Sequence, residues 1–371
     1  MEGLPEAHGL KETPLLKHHI AYGAEVGEFA GWQSPIFFTK LRDEHTAVRQ
    51  KAGIFDISHM TRTKITGPSA TDLLQKTLTC DVATLKKGRM KYGLILNEGA
   101  GIVDDVTVFK VEEGSYIMVS NAVTREKVLK WLSGHADGNV LIEDFTEESA
   151  FVAVQGPMSS KFVSEVLGTD VSQLKWFMGV IVNWGGCNLL VTRSGYTGED
   201  GYEIIIPCGG VDFYEKLWDA FVNMGVKPCG LACRDACRLE AGYLLSGVDF
   251  DESKTPVEAR LMWAVKMEKE GFIGKESLAK LATGKPAQVA VLLEMVEQGV
   301  PRHGYRVYNK VGKEVGHVTS GVLSPLNNRG IAIAYVETED TGAGTELFID
   351  IRGVRRRSHV RAEPLVRVQK P

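Results

Sequence analysis

The chain lacks most of the features that announce a function class. It has six cysteines in 371 residues, which do not make a disulfide framework, so a reducing cytoplasm is the expected compartment. No apolar run approaches the roughly eighteen residues of a membrane span. The start, Met1-Glu2-Gly3-Leu4-Pro5-Glu6, has neither the apolar stretch of a secretory signal nor the arginines of a transit peptide. Net charge is −4, which offers no global field for nucleic acid or a membrane surface. There is no Walker loop, no GxGxxG, no HExxH and no GxSxG, and the glycine motifs follow no strand-to-helix phosphate turn. Cys229, Cys233 and Cys237 recur every four residues, but no CxxC or nearby histidine completes a zinc set. They read as small buried residues along one helix stripe, and no metal is expected.

What is present is globular. The hydrophobic fraction of 44% and charged fraction of 24% are those of a soluble protein whose core needs no staple. The length implies two or three domains. An internal repeat organises the first part. Gly67-Pro68-Ser69 recurs as Gly156-Pro157-Met158, and Leu78, Asp81-Val82 and Leu85 recur at the same offset as Leu167, Asp170-Val171 and Leu174. Tyr116 to Val119 with its following helix, Val123 to Leu132, matches Tyr202 to Ile205 with Val211 to Phe221, slightly out of step. Each copy, at about 62–135 and 150–225, reads as strand, helix, two or three strands, helix. That is an α+β unit of ferredoxin-like or related type, and two such units meet at a crevice. A region 1–285 containing the two intertwined units is expected, followed by a barrel or sandwich of short strands at 286–371.

The densest motif is Ser194-Gly195-Tyr196-Thr197-Gly198-Glu199-Asp200-Gly201-Tyr202-Glu203. It reads as a tight glycine loop with an exposed ring, Tyr196, running into a strand. Glu203 sits where a β-branched residue belongs, so it either faces water at a hairpin tip or meets a partner with paired N–H donors. The turn Asn97-Glu98-Gly99-Ala100-Gly101 delivers Asp104 and Asp105, which alternation places on opposite faces of a strand. One of them faces packing or a crevice, either as an acid–base or cation-stabilising carboxylate or simply wet at the strand mouth. Asn121 reads first as an N-cap and second as an amide contact to a heterocycle. The segment 230–242 reads as a helix. On it Arg234 and Arg238 share a face, with Asp235 and Glu240 available as intrahelical partners, and Arg234 near the helix start suits an acidic ligand. His59 has no acid beside it and reads as a structural histidine. Arg352, Arg355, Arg356 and Arg357 read as a solvated strand edge, or as a contact for an acidic carrier.

These motifs, with Phe29-Ala30-Gly31-Trp32, Phe55 to Met60, Gly101 to Asp105, Ala232 to Gly242, Thr255 to Ala259 and Gly316 to Gly321, resemble the signatures of the glycine cleavage system T-protein. The resemblance runs from about residue 13 to the last barrel strand. It implies a three-domain α+β cloverleaf around a folate channel, and an aminomethyltransferase that uses tetrahydrofolate. The substrate it implies is the aminomethyl group on the lipoyl arm of the H-protein, giving methylene-tetrahydrofolate, ammonia and the dihydrolipoyl arm. By motif, Asp105 is the catalytic carboxylate, which positions the folate nitrogens and stabilises positive charge, or acts as a general base. Glu203 holds the pterin, Arg234 is a further folate residue, Tyr196 packs on the flat ligand, and Asn121, Met60, Tyr92 and Trp263 line the site. The family's closing aromatic tail is absent, since Glu363 to Pro371 contains no tyrosine. A folate-dependent demethylase and a non-catalytic folate-binding factor of iron–sulfur assembly are the alternatives; the latter's Lys-Gly-Cys signature is missing. A fused flavin dehydrogenase has no room in this length.

Overall fold

The computed structural model describes residues 9–367. The opening residues and residues 368–371 of the tail lie outside the described residues. The chain begins with β1 (Lys11–Glu12), α1 (Leu16–Ala21), β2 (Glu25–Phe29), β3 (Trp32–Phe37), α2 (Leu41–Gln50) and β4 (Gly53–Asp56). The first repeat unit is β5 (Thr61–Thr66), α3 (Ala70–Thr77), β6 (Met90–Leu96), β7 (Ile102–Glu112), β8 (Ser115–Ser120) and α4 (Arg125–His135), followed by β9 (Leu141–Asp144). The second is β10 (Ala150–Gln155), α5 (Ser159–Leu167), β11 (Gly179–Trp184), β12 (Cys187–Thr192), β13 (Gly201–Ile206) and α6 (Gly210–Asn223), followed by β14 (Lys227–Pro228). Then come α7 (Leu231–Glu240), α8 (Lys275–Ala282) and the barrel strands β15 (Gln288–Met295), β16 (Arg306–Tyr308), β17 (Glu314–Leu323), β18 (Gly330–Glu337), β19 (Glu346–Ile351) and β20 (Val354–Val360).

The repeat is structural. One sheet runs β6-β7-β8-β5-β9 and the other β11-β12-β13-β10-β4-β14. In each unit three strands meander and the first strand returns beside the last, which is the Greek-key arrangement. Gly67 and Gly156, 89 residues apart, both take positive φ (130° and 135°) where the chain turns from strand into helix. The same offset relates Arg89 to Met178, and these two bridge each other. The Met90 N–H donates to the Phe177 carbonyl (2.9 Å) and the Gly179 N–H to the Gly88 carbonyl (3.0 Å). Such a reciprocal pair marks a local two-fold axis between the units. The units also exchange chain. β4 precedes the first unit yet pairs with β10 of the second, and β9 after the first unit pairs with β5.

Strand alternation decides what faces the seam. Tyr202, Ile204 and Ile206 face α5 and α6, while Ile205 joins Phe55, Phe109 and Phe151 between the sheets. In the first unit Tyr116 and Met118 face its own helices, and Ile117 and Val119 turn to the middle. α7 fills that middle with Cys233 and Cys237, while Leu239 packs on Ile331 and Ile333 of the barrel. Cys229 lies before α7 rather than on it.

One bond goes unforeseen and one expectation fails here. Cys187 and Cys208 form a disulfide. The register that pairs Leu190 with Ile205 sets these cysteines opposite each other, an adjacency that counting cysteines does not reveal. The arginine stretch is not a strand edge. The barrel closes as β15-β18-β17-β16-β19-β20, with β20 bonded to both β15 and β19, so it has no edge to protect. Arg355 lies 3.7 Å over the Tyr308 ring and Arg357 pairs with Glu297 (3.3 Å). Among the described residues no helix is long and apolar enough to cross a membrane.

Candidate active site

The acid pair lies where β7 leaves the Asn97 turn. Asn97 holds that turn by accepting from the N–H groups of Gly99 (3.0 Å) and Gly101 (2.9 Å), and the β6–β7 register slips between Ile95 and Leu96. Such a bulge re-aims the side chains that follow it. The β7–β8 register continues to place Asn121 opposite Asp105, one step beyond β8. The two acids keep successive places on β7, yet both carboxyls reach the Asn121 amide just beyond the end of β8. The Asn121 amide nitrogen donates to Asp104 Oδ1 (2.9 Å) and to Asp105 Oδ1 (2.7 Å), and its backbone N–H donates to Asp104 Oδ2 (3.0 Å). Asn121 makes no side-chain cap bond, so its first reading is corrected: the acids outcompete the helix end. Asp104 is fully buried, whereas Asp105 keeps an open side. Burial, and then the charge of Asp104, raise the Asp105 carboxyl to about 7, partly offset by the Tyr92 hydroxyl and Asn121. Tyr92 itself is pushed up by burial and by Asp105. Its ring stacks on Trp263 (5.1 Å), which is 70% exposed and stands at the rim.

Glu203 belongs to a central strand, paired with Ala153 on one side and Thr192 on the other, so it is no hairpin tip. It is half-buried on the seam side of β13. Ser194 donates to its Oε2 (2.5 Å), and Thr192 lies 2.9 Å from Ser194. Oε1 is left free among the described residues. Tyr196 is half-buried rather than exposed. Its hydroxyl donates to the Leu244 carbonyl and its ring stacks on Tyr243 (5.6 Å).

Arg234 closes the set from α7. Its guanidinium lies 5.1 Å over the Tyr196 ring and 3.9 Å from Met60 Sδ. Nη1 is buried without a partner among the described residues. Burial lowers its basicity, and Glu203 and Tyr196 act against that. Tyr196 in turn feels Asp105 and Arg234. Tyr196 and Arg234 thus lie together at the seam, with Glu203 close enough to act on Arg234 and Asp105 close enough to act on Tyr196. Arg238, expected on the same face, turns instead to Asp249 (2.6 Å), Asp235 (2.8 Å) and Ser320 of the barrel (2.8 Å). Glu240 pairs with His45 (2.8 Å) and Arg49 (2.6 Å), not within its helix. His59 is sealed beside this set. Burial, then Arg234 and Arg62, lower it to about 3, so it stays neutral, and its Nδ1 has no partner among the described residues.

The loop that carries Tyr196 is built on residues the sequence did not single out. Gln155 sits inside it, donating to the Ser194 carbonyl (3.0 Å) and accepting from Thr197 (2.9 Å). A Cβ at Gly195 or Gly201 would lie 1.9 or 2.2 Å from the Gln155 amide, so these glycines serve close approach. Arg49 ties the loop to α7 through Thr197 (2.7 Å), Glu199 (3.0 Å) and Glu240. The tail follows the same route without a tyrosine: the Leu365 and Val366 N–H groups donate to the Glu240 carbonyl (2.8 and 3.1 Å). Ser194 and Ser246 were also missed. Ser194 heads the densest motif, but only the folded hairpin brings it to Glu203, and Ser246 reaches Asp104 (2.7 Å) across 142 positions of chain.

Glu44, Cys229 and Cys233 cluster beneath α7, yet both Glu44 oxygens accept backbone N–H bonds, from Phe38 and Thr39 (2.7 Å each) and from Gly230 (2.9 Å). Burial also raises both thiols, so this donor set holds its protons rather than offering thiolates.

Residues 15–269 match the GCVT N-terminal domain and residues 289–366 the glycine cleavage T-protein C-terminal barrel domain. An aminomethyltransferase of Geobacillus sp. (strain WCH70) is 40% identical over 358 residues, covering 96% of this chain and 98% of its own. One from Streptomyces coelicolor is 40% identical over 368 residues, covering 97% and 99%. The crystal structure of the glycine cleavage system aminomethyltransferase T from Bartonella henselae superposes with a TM-score of 0.90 at 34% identity, over 96% of this chain and 98% of that one. On its fold, its two matched domains and these relatives, the chain belongs to the glycine cleavage T-protein family of aminomethyltransferases.

Proposed function

We propose that this aminomethyltransferase takes the aminomethyl carbon from the lipoyl arm of an H-protein and passes it to tetrahydrofolate, releasing ammonia and the dihydrolipoyl arm. The observation that carries this reading is the set of groups gathered at the seam: among the described residues, a free carboxylate oxygen at Glu203 and an unpartnered buried donor on Arg234, with a stacked pair of rings and a second, protonatable carboxyl at Asp105. That donor set suits a flat heterocycle with adjacent N–H groups at one end and a reacting amine at the other. Glu203 accepts the paired N–H groups, with Ser194 holding the carboxylate in its rotamer. Tyr196, backed by Tyr243, covers the planar part. Arg234 meets an acceptor on the ligand. Met60, Tyr92 and Trp263 line the path between the two ends, with Asn121 behind the acids. Asp105 positions the reacting nitrogen and stabilises positive charge developing at the migrating carbon. Its near-neutral protonation also lets it hold or release one proton there.

The carrier protein and a cytoplasmic location go together in this reading; the Cys187–Cys208 bridge is the feature that stands against the location. Turnover with lipoylated H-protein and tetrahydrofolate, read as ammonia release, tests the assignment. Turnover of small methyl donors with no response to the lipoylated carrier would instead make the chain a demethylase.

A further inference from the structure

Asp104 is more enclosed than Asp105 or Glu203, and the mechanism above does not use it. Three donors reach its two oxygens: the Ser246 hydroxyl (2.7 Å), the Asn121 side-chain amide (2.9 Å) and the Asn121 backbone N–H (3.0 Å). The two Asn121 N–H groups can only donate, one to each oxygen, and the Ser246 hydroxyl is placed to donate as well, so the arrangement favours the carboxyl as an acceptor, which is the ionised form. Asp105 receives the same Asn121 amide (2.7 Å) but keeps its other side open. One amide group thus straps two carboxyls together, and a single proton between them has room on only one.

We propose that Asp104 is a positioning residue for the transfer reaction: its sealed carboxylate, strapped through Asn121, keeps the exchangeable proton of the pair on Asp105. This rests on the reading of Asp105 as the reacting carboxyl. The other ionisable groups facing the pair are Tyr92 from β6 and Tyr196 from the 193–200 loop. Behind Tyr196 stand Arg234 and Arg238 of α7 and Asp249. Ser246 is a neutral donor to Asp104, and the neutral Thr124 hydroxyl donates to the Asn121 carbonyl beside it. Among the described residues no lysine or arginine hydrogen-bonds to either acid, so nothing cationic cancels the repulsion. Like charges this close do not both ionise readily, and the better-solvated partner gives way last to the proton. In this pair the hydrogen bonds to Asp104 take the place of solvent. Burial raises both carboxyls; on Asp104 the bonds from Ser246 and Asn121 act against it, and on Asp105 the charge of Asp104 adds to it.

Aspartate labelled with carbon-13 at the γ position reads each carboxyl in the free protein. One signal titrates near pH 7 and is lost in Asp105→Asn. In Asp104→Asn the Asp105 signal moves down by about one unit or more. The proposal is overturned if that signal stays near 7 in a folded Asp104→Asn, or if the near-neutral signal survives Asp105→Asn and is lost in Asp104→Asn. Ser246→Ala is the milder variant should Asp104→Asn not fold. It weakens the hold on Asp104 alone, so both carboxyl signals then shift through the neutral range, and Ser246→Thr restores the original pattern. Asp105 alone still titrating in Ser246→Ala overturns the proposal. The pH profile of turnover in Asp104→Asn moves to lower pH by the same amount, whereas a purely structural role lowers turnover and leaves the profile in place. The carbon-13 titration needs neither folate nor carrier, so it can fail while the transfer reading stands, and hold where that reading fails.

Discussion

The two α+β units share strand order, register and helix placement, yet they carry different chemistry at matched positions. Leu94 pairs with Asp105 in the first unit, and the equivalent pair in the second is Asn183 with Asn188. Asp104 corresponds to Cys187, and its Asn121 clasp occupies the strand ends that the second unit joins by the Cys187–Cys208 disulfide. Glu203 in the second unit corresponds to Ile117 in the first, which is packed among apolar side chains. The turn between β7 and β8 is the two residues Glu113 and Gly114, whereas residues 193–200 fill the same place between β12 and β13. Duplication therefore made the crevice, and divergence at strand ends and in one enlarged loop made the site. A ligand with two unlike ends needs unlike walls, which a symmetric pair of units cannot offer.

The sharpest way to break this comparison is at its acids. Asp105→Asn lowers turnover by about a hundredfold or more, the usual scale for a positioned acid–base group, with folate affinity held within a few-fold. Asn188→Ala, at the matched position, leaves both unchanged. Ammonia release and calorimetric titration with tetrahydrofolate check this, and full activity in Asp105→Asn removes that residue from the mechanism. Next in size is the covalent clasp. Cys208→Ala opens a loop of 21 positions and costs about 3 kcal/mol of stability, read from denaturant midpoints, while turnover at low temperature persists. Glu203→Ala weakens folate binding by about 1.5–3 kcal/mol, as for hydrogen bonds to a charged group, and Ser194→Ala by about 1 kcal/mol through loss of carboxylate orientation. Equal folate affinity in the Glu203 variant takes the pterin grip away from it.

A separate effect is on stability against pH. The folded-state Asp105 carboxyl is raised from the ordinary value near 4 to about 7, so the native state binds the extra proton in that window. Stability accordingly falls as pH rises from about 4 to about 7, by at most about 1.4 kcal/mol per pH unit for one proton, and levels off above. Asp105→Asn removes that slope, and unfolding midpoints at pH 5 and pH 8 measure it. An unchanged slope places the shifted proton on another group.

Much of this was legible because it was local or periodic. The Gly-Pro starts, the constant offset and the alternating apolar runs fixed two helix-backed units, and closely spaced short strands fixed a barrel. Asp105, Glu203 and Arg234 stood out as charges at positions whose pattern called for apolar or helix-compatible residues. What escaped depended on distance along the chain. Asn121 reads as a cap because its neighbours are a strand end and a short helix; the acids that claim its amide instead lie on another strand, 17 and 16 positions back. The arginine stretch looked like an edge because closure of β20 onto β15 is a contact between the ends of the barrel.

Taken alone, the order of residues determined which segments are strands and helices, that one unit is copied, and which side chains are costly to bury without a partner. Tertiary structure decided who those partners are. Asp104 finds Ser246, Glu203 finds Ser194, Arg234 finds the Tyr196 ring, and Cys187 finds Cys208, because pairing register and the two-fold packing of the units bring remote segments within hydrogen-bond or covalent reach. Propensity and pattern act over a few residues; desolvation and hydrogen bonding act on whatever the fold makes adjacent.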